Sequence, residues 1–123
     1  MPTILVVEDE ILIRLHVTDV FRELGFQVLE AADGEQAMKL LKARPDIDAV
    51  FSDVTLPGKV DGLALARWLR AARPRLPVLL TSGEVNAEHL QASGDDDLPF
   101  FPKPCDYQEV AARIQGLLAA RVS

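Results

Sequence analysis

The stretch "FSDVTLPGKVDG" (Phe51 to Gly62) decides the fold. An apolar run ends in a single carboxylate, Asp53, and Pro57, Gly58 and Gly62 follow within nine residues. Read as a strand running into a tight loop, it leaves Asp53 at the strand's carboxyl end. With "DAVFS" (48–52) as that strand, the question becomes what flanks it.

Outward in both directions the same unit recurs. "TILVV" (3–7) is a largely β-branched run too short for a helix, so it reads as a buried strand. Ile13, Val17, Val20, Phe21 and Leu24 then mark one face of a helix that Gly25 stops. "QVLEA" (27–31) reads as a second, weaker strand. Asp33 is placed to cap a helix with Ala37, Leu40 and Leu41 inward, and Pro45 ends it. Beyond the quoted stretch, Leu65, Trp68, Leu69 and Ala72 form a third helical face closed by Pro74.

"PVLLTS" (77–82) reads as the fourth strand, and "EVNAEHLQASG" has only Val85 and Leu90 for a stripe, which predicts a short helix. "DDD" (95–97) reads as a solvated loop before a fifth strand, "LPFF" (98–101). Asp106 and Glu109 stand at capping-box spacing at the head of a last helix with Val110, Ile114, Leu117 and Leu118 inward.

Strands alternating with helices predict an α/β fold, a parallel sheet covered on both faces with right-handed crossovers. Pro99 and Pro102 assign the fifth strand to an edge, because central strands exclude proline.

The chain has 123 residues, 49% of them apolar, which suits one domain with one core needing no staple. Cys105 is the only cysteine and cannot pair within the chain. A net charge of −6 disfavours binding to a phosphate backbone, so no nucleic-acid partner is expected. The arginines of "ARWLRAARPR" read as a solvated helix face and a helix C-terminus. "MPTILVV" lacks the basic residues of a signal peptide, and no apolar run approaches a membrane span. No membrane association and a cytoplasmic location are expected.

In an open parallel sheet, reactive groups gather at the carboxyl ends of the strands. That rule brings together Glu8 and Asp9 after strand one, Asp53 after strand three, Thr81 and Ser82 at the end of strand four, and Lys103 after strand five. Two unit charges ~4 Å apart at an effective dielectric of about 20 interact by roughly 4 kcal/mol, so clustered carboxylates call for a cation. The candidate ligands are all oxygens, which points to Mg²⁺, or Mn²⁺ in its place. An Asp beside such a site, with Lys103 and the Thr81 hydroxyl near it, is placed as a nucleophile toward phosphorus. A lone Asp after a strand is most often a turn or cap residue. That bland explanation does not account for all these side chains falling at strand carboxyl ends together.

"ILVVEDE", "VFSDVTLPG…DG", "VLLTSG" and "FPKP" together resemble the receiver domain of two-component response regulators, along essentially the whole chain. The resemblance implies a flavodoxin-like (βα)5 fold, a doubly wound parallel sheet of strand order 2-1-3-4-5. It implies that Asp53 accepts a phosphoryl group from a histidine kinase or phosphotransfer protein. Asp9 is then a direct Mg²⁺ ligand, Glu8 one acting mainly through water, Thr55 a ligand through its carbonyl, and Asp53 a fourth member of the metal set. Thr81 and Lys103 match the hydroxyl and lysine of the switch, Phe100 matches its aromatic, and the Lys103–Pro104 bond is implied to be cis. Output is implied to pass through the helix four, strand five, helix five face to a downstream protein partner, or as relayed phosphate. Dimerisation on phosphorylation stays open.

The chain departs from the family pattern in having Glu8 in the acidic pair, a loop longer by one residue that includes Lys59, and Phe100 in place of a tyrosine. A single receiver domain over 1–123, with no effector domain after the last helix, is expected. A signalling module rather than an enzyme is the leading reading. A Mg²⁺ phosphatase with an Asp nucleophile is the enzyme alternative, but Thr55 stands where its second carboxylate belongs. A nucleotide or flavin binder lacks its glycine-rich loop after strand one. A degenerate receiver that binds partners unphosphorylated is disfavoured by the complete site.

Overall fold

The computed structural model describes residues 1–92, 94 and 97–122. Its elements are β1 (Thr3–Val7), α1 (Ile11–Glu23), β2 (Gln27–Ala31), α2 (Gly34–Ala43), β3 (Ile47–Asp53), α3 (Gly62–Ala72), β4 (Val78–Ser82), α4 (Ala87–Ala92), β5 (Phe100–Pro102) and α5 (Tyr107–Val122). All strand pairs are parallel, in the order β2-β1-β3-β4-β5. This is the flavodoxin-like arrangement with β5 at an edge.

The sheet has apolar layers on both faces, and strand periodicity sorts residues between them. Ile4, Val6, Phe51 and Leu79 pack with Val17 and Phe21 of α1 and Val110 and Ile114 of α5. Leu5, Val7, Val50 and Leu80 pack with Leu41 of α2, Leu65 and Leu69 of α3, and Leu90 of α4. Every residue of β1 and β4 is therefore buried, and these strands read as continuous apolar runs because neither face meets water.

The helix ends explain where the structure departs from the periodicity. Leu24, assigned to the inner face of α1, is 43% exposed. Gly25 takes a φ of 96°, and the Phe26 and Gly25 N–H groups donate to the Phe21 and Arg22 carbonyls. That turn buries Phe26 against Phe21, ring centroids 6.1 Å apart, in the place expected for Leu24. Ala72 is likewise exposed at the end of α3, where Leu65, Ala66 and Leu69 make the inner face.

Asp33 caps α2 as expected, its Oδ1 accepting from Gln36 N at 2.8 Å. Asp106 caps α5 by accepting from Gln108 N at 2.9 Å. β5 begins two residues later than the expected "LPFF" because Pro99 only accepts, through its carbonyl, from Leu80 N at 2.8 Å. Of the expected 95–97 loop, residues 95 and 96 lie outside the described residues. Asp97 is exposed and pairs with Arg70 at 3.0 Å. Among the described residues no helix is long and apolar enough to cross a membrane.

Candidate functional site

Register carries the polar residues to one end of the sheet. Val7 pairs with Ser52 and Asp53 with Thr81, so the residues just after β1 lie level with the tip of β3. The Lys103 backbone N–H donates to Ser82 O at 2.9 Å, which extends the β4–β5 ladder to the lysine. The Lys103–Pro104 bond is cis.

One carboxylate oxygen each from Glu8, Asp9 and Asp53 lie within 4.8 Å of one another. Lys103 Nζ reaches into them, 2.6 Å from Glu8 Oε1 and 2.7 Å from Asp53 Oδ2. Asp53 Oδ1 accepts from Thr55 N at 3.0 Å. Glu8 and Asp53 are buried, whereas Asp9 and Thr55 face solvent. Asp9, Asp53, Thr55, Ser82, Gly83, Glu84 and Lys103 line an open cleft of about 180 Å³.

The charges do not balance, since three carboxylates meet one ammonium. Burial pushes the Glu8 carboxyl up to about 7; the Lys103 hydrogen bond opposes this and the Asp53 charge adds to it. Burial alone would lower Lys103, but its hydrogen bonds to Asp53 and Glu8 hold it well above the usual lysine range. Glu8 Oε2 is buried and has no hydrogen-bond partner. An orphaned carboxylate oxygen beside two further carboxylates is a donor set that suits a hard divalent cation. Among the described residues, Glu8, Asp9 and Asp53 are the side chains placed to hold one.

Of the two hydroxyls ending β4, Thr81 was the expected participant. Strand alternation puts it on the Leu79 face, where its hydroxyl donates to Phe101 O at 2.6 Å, with Cys105 Sγ 3.9 Å away. Ser82 is the hydroxyl that lines the cleft. Its Oγ accepts from Glu84 N at 3.0 Å and Val85 N at 2.9 Å, so its own proton is free for an acceptor in the cleft. The dipeptide "TS" signals that a hydroxyl ends the strand. Which one faces the cleft depends on where the strand ends.

Phe100 is half-buried against the α2–α3–α4 layer, while Phe101 packs on the opposite one. Lys59 is exposed. Its loop is tied to the head of α2 rather than folded over the cleft: Glu35 Oε1 accepts from Val60 N at 2.9 Å, and Gly58, at φ 87°, sits against the Glu35 carboxylate.

Residues 4–115 match the response regulator receiver domain family. The chain is 35% identical over 121 residues to the aerobic respiration control protein ArcA of Escherichia coli K12, covering 96% of this chain and 49% of that protein. It is 32% identical over 120 residues to the sensor kinase CckA of Brucella abortus, covering 94% of this chain and 12% of that one. It thus spans about half or less of the length of these relatives. A response regulator receiver protein from Sinorhizobium medicae WSM419 superposes with a TM-score of 0.88 at 29% identity, covering 98% of this chain and 96% of that one. Sequence likeness over nearly the whole chain and the shared fold lead to one conclusion: this chain belongs to the response regulator receiver domain family.

Proposed function

We propose that Asp53 accepts a phosphoryl group from a histidine kinase or phosphotransfer protein, and that the modified domain then acts on a protein partner or passes the phosphate on. The observation that carries this reading is Asp53 itself. It is buried at the tip of β3, yet it borders an open cleft beside Glu8, Asp9 and Lys103.

In the transfer, an Asp53 carboxylate oxygen forms the new O–P bond as the N–P bond of the donor phosphohistidine breaks. The donor imidazole leaves with that bond's electron pair. Lys103 faces the phosphoryl oxygens as a fixed positive charge, and the Ser82 hydroxyl donates to one of them. Glu8, Asp9 and Asp53, with the Thr55 carbonyl, would hold Mg²⁺. When bound, the cation supplies the positive charge that offsets carboxylate repulsion and developing phosphoryl charge.

The contact offered to a protein donor lies on α1. Ile11, Leu12 and Leu15 are exposed at 59%, 79% and 45%, directly after the acidic turn. Exposed apolar side chains on the helix that follows the acidic turn suit a protein donor. Relatives that include a control protein and a sensor kinase support a histidine-kinase partnership. Phe100, on the α4 side of the sheet, is the link by which the occupied site shifts the α4–β5–α5 face. Thr55 two residues after Asp53, rather than a carboxylate, favours a signalling role over a phosphatase.

The test is labelling of the chain by a small phosphodonor. Uptake of one phosphoryl group is expected with Mg²⁺ and none with a chelator, and labelling indifferent to Mg²⁺ refutes the reading. A second measurement assigns the hydroxyl. Ser82→Ala is expected to slow uptake about 10- to 100-fold, the worth of one hydrogen bond to a charged group. A larger slowing in Thr81→Ala would return that role to Thr81.

A further inference from the structure

We infer that Arg14 is a positioning residue for the cation site: it holds the turn that presents Glu8 and Asp9. The inference rests on the proposed function and extends it to a side chain that touches neither phosphate nor metal.

Glu8 and Asp9 stand in the short turn between β1 and α1, and two observations show how that turn is held. Glu10, the N-cap of α1, makes no side-chain capping bond, so the usual anchor of a helix start is missing. Arg14 reaches back one turn instead. Its Nη1 donates to Glu8 O at 2.7 Å, while its Nε donates to Glu30 Oε1 at 3.2 Å near the end of β2. Its side chain is only 16% exposed, which reduces competition from water. On the other side of the turn, Glu8 N donates to Ala31 O at 3.0 Å, also at the end of β2.

The consequence follows from peptide geometry. The Glu8 carbonyl and the Asp9 N–H belong to one planar unit. Fixing the carbonyl oxygen restrains that plane and with it the position of the Asp9 Cα, which leaves only the Asp9 φ to set where its side chain points. Because Asp9 is exposed, packing does little to orient it. Arg14 meets its two acceptors with two different nitrogens of one rigid planar guanidinium, a spacing that the single nitrogen of an ammonium does not match.

Charge and position make opposite predictions. A cation held on the Glu8 carbonyl repels a second cation bound nearby, so removing the Arg14 charge alone would tighten metal binding. Losing the held turn weakens it, on the scale of about 10-fold known for outer partners of metal ligands.

The experiment measures Mg²⁺ dissociation by calorimetry and Mn²⁺ dissociation by electron paramagnetic resonance. Both use the unphosphorylated full chain, with melting temperatures taken in metal-free buffer. Arg14→Met is expected to bind both ions about 10-fold more weakly, and Arg14→Lys to recover only part of the loss. Equal or tighter binding by Arg14→Met overturns the inference. If Arg14→Met does not fold, Arg14→Lys decides: weaker binding than wild type supports the positioning role, and unchanged binding overturns it. A wild-type chain that binds neither ion overturns the proposed function, and this inference with it. Wild-type binding with an insensitive Arg14 overturns only the inference.

Discussion

Asp53→Asn is expected to abolish phosphoryl labelling while leaving the fold intact. The amide keeps the carboxylate's shape, and its oxygen still accepts from Thr55 N, as Asp53 Oδ1 does at 3.0 Å. What disappears is the negative oxygen able to bond phosphorus and the charge that Lys103 Nζ meets at 2.7 Å. Lys103 retains Glu8 Oε1 at 2.6 Å, so the lysine is not stranded. Removing a nucleophile costs on the order of 10³-fold or more in rate, which places residual labelling at background. Radiolabel or intact-mass measurement after a small phosphodonor and Mg²⁺ checks this, with circular dichroism as the control for folding. Labelling that survives the substitution moves the acceptor elsewhere and removes the basis of the functional reading.

Gly62→Ala is expected to have the largest effect on stability. Gly62 opens α3, and a Cβ there would overlap Asp53 O and lie 2.8 Å from both Asp53 C and Val54 Cα. These are backbone atoms, so no rotamer change relieves the clash. The Gly62 N–H also donates to Val54 O at 2.8 Å, which ties the head of α3 to the segment that must yield. A cost of about 2–4 kcal/mol follows. For a chain of this size that lowers the melting temperature by about 10 °C or more. The displaced backbone is that of Asp53, so phosphoryl uptake by the remaining folded protein should slow as well. Gly116 is the contrast: it lies within α5, a Cβ there meets nothing within 4 Å, and Gly116→Ala should stabilise by about 0.5–1 kcal/mol. Thermal denaturation of the two variants gives opposite signs if the close approach at Gly62 is the cause. Equal melting temperatures would discard it.

These cases show where local pattern was enough and where it was not. β1, β2 and the Asp33 cap stand where the pattern placed them, because each depends on residues adjacent in the chain. The exchange of Leu24 for Phe26 was hidden, since helical periodicity extends smoothly to Leu24 and only the reversal at Gly25 redirects the chain. Thr81 and Ser82 were inseparable for a similar reason. A strand has a period of two, so a one-residue shift in where it ends exchanges the side chain in the cleft. Arg14 looked like any polar residue on an amphipathic helix; its partners Glu8 and Glu30 belong to different elements.

By itself, the sequence determined the alternation of strands and helices, the edge position of β5 and the membership of the acidic cluster. Buried apolar runs, prolines and carboxylates at strand ends are local features that any placement of those strands must respect. Only the tertiary structure decided which atoms meet: Lys103 between Glu8 and Asp53, Ser82 in the cleft, Arg14 on the Glu8 carbonyl and the backbone of Asp53 against Gly62. Such contacts depend on register and crossover packing fixed to within about an ångström, and the cooperative closure of two apolar layers on one sheet sets that scale.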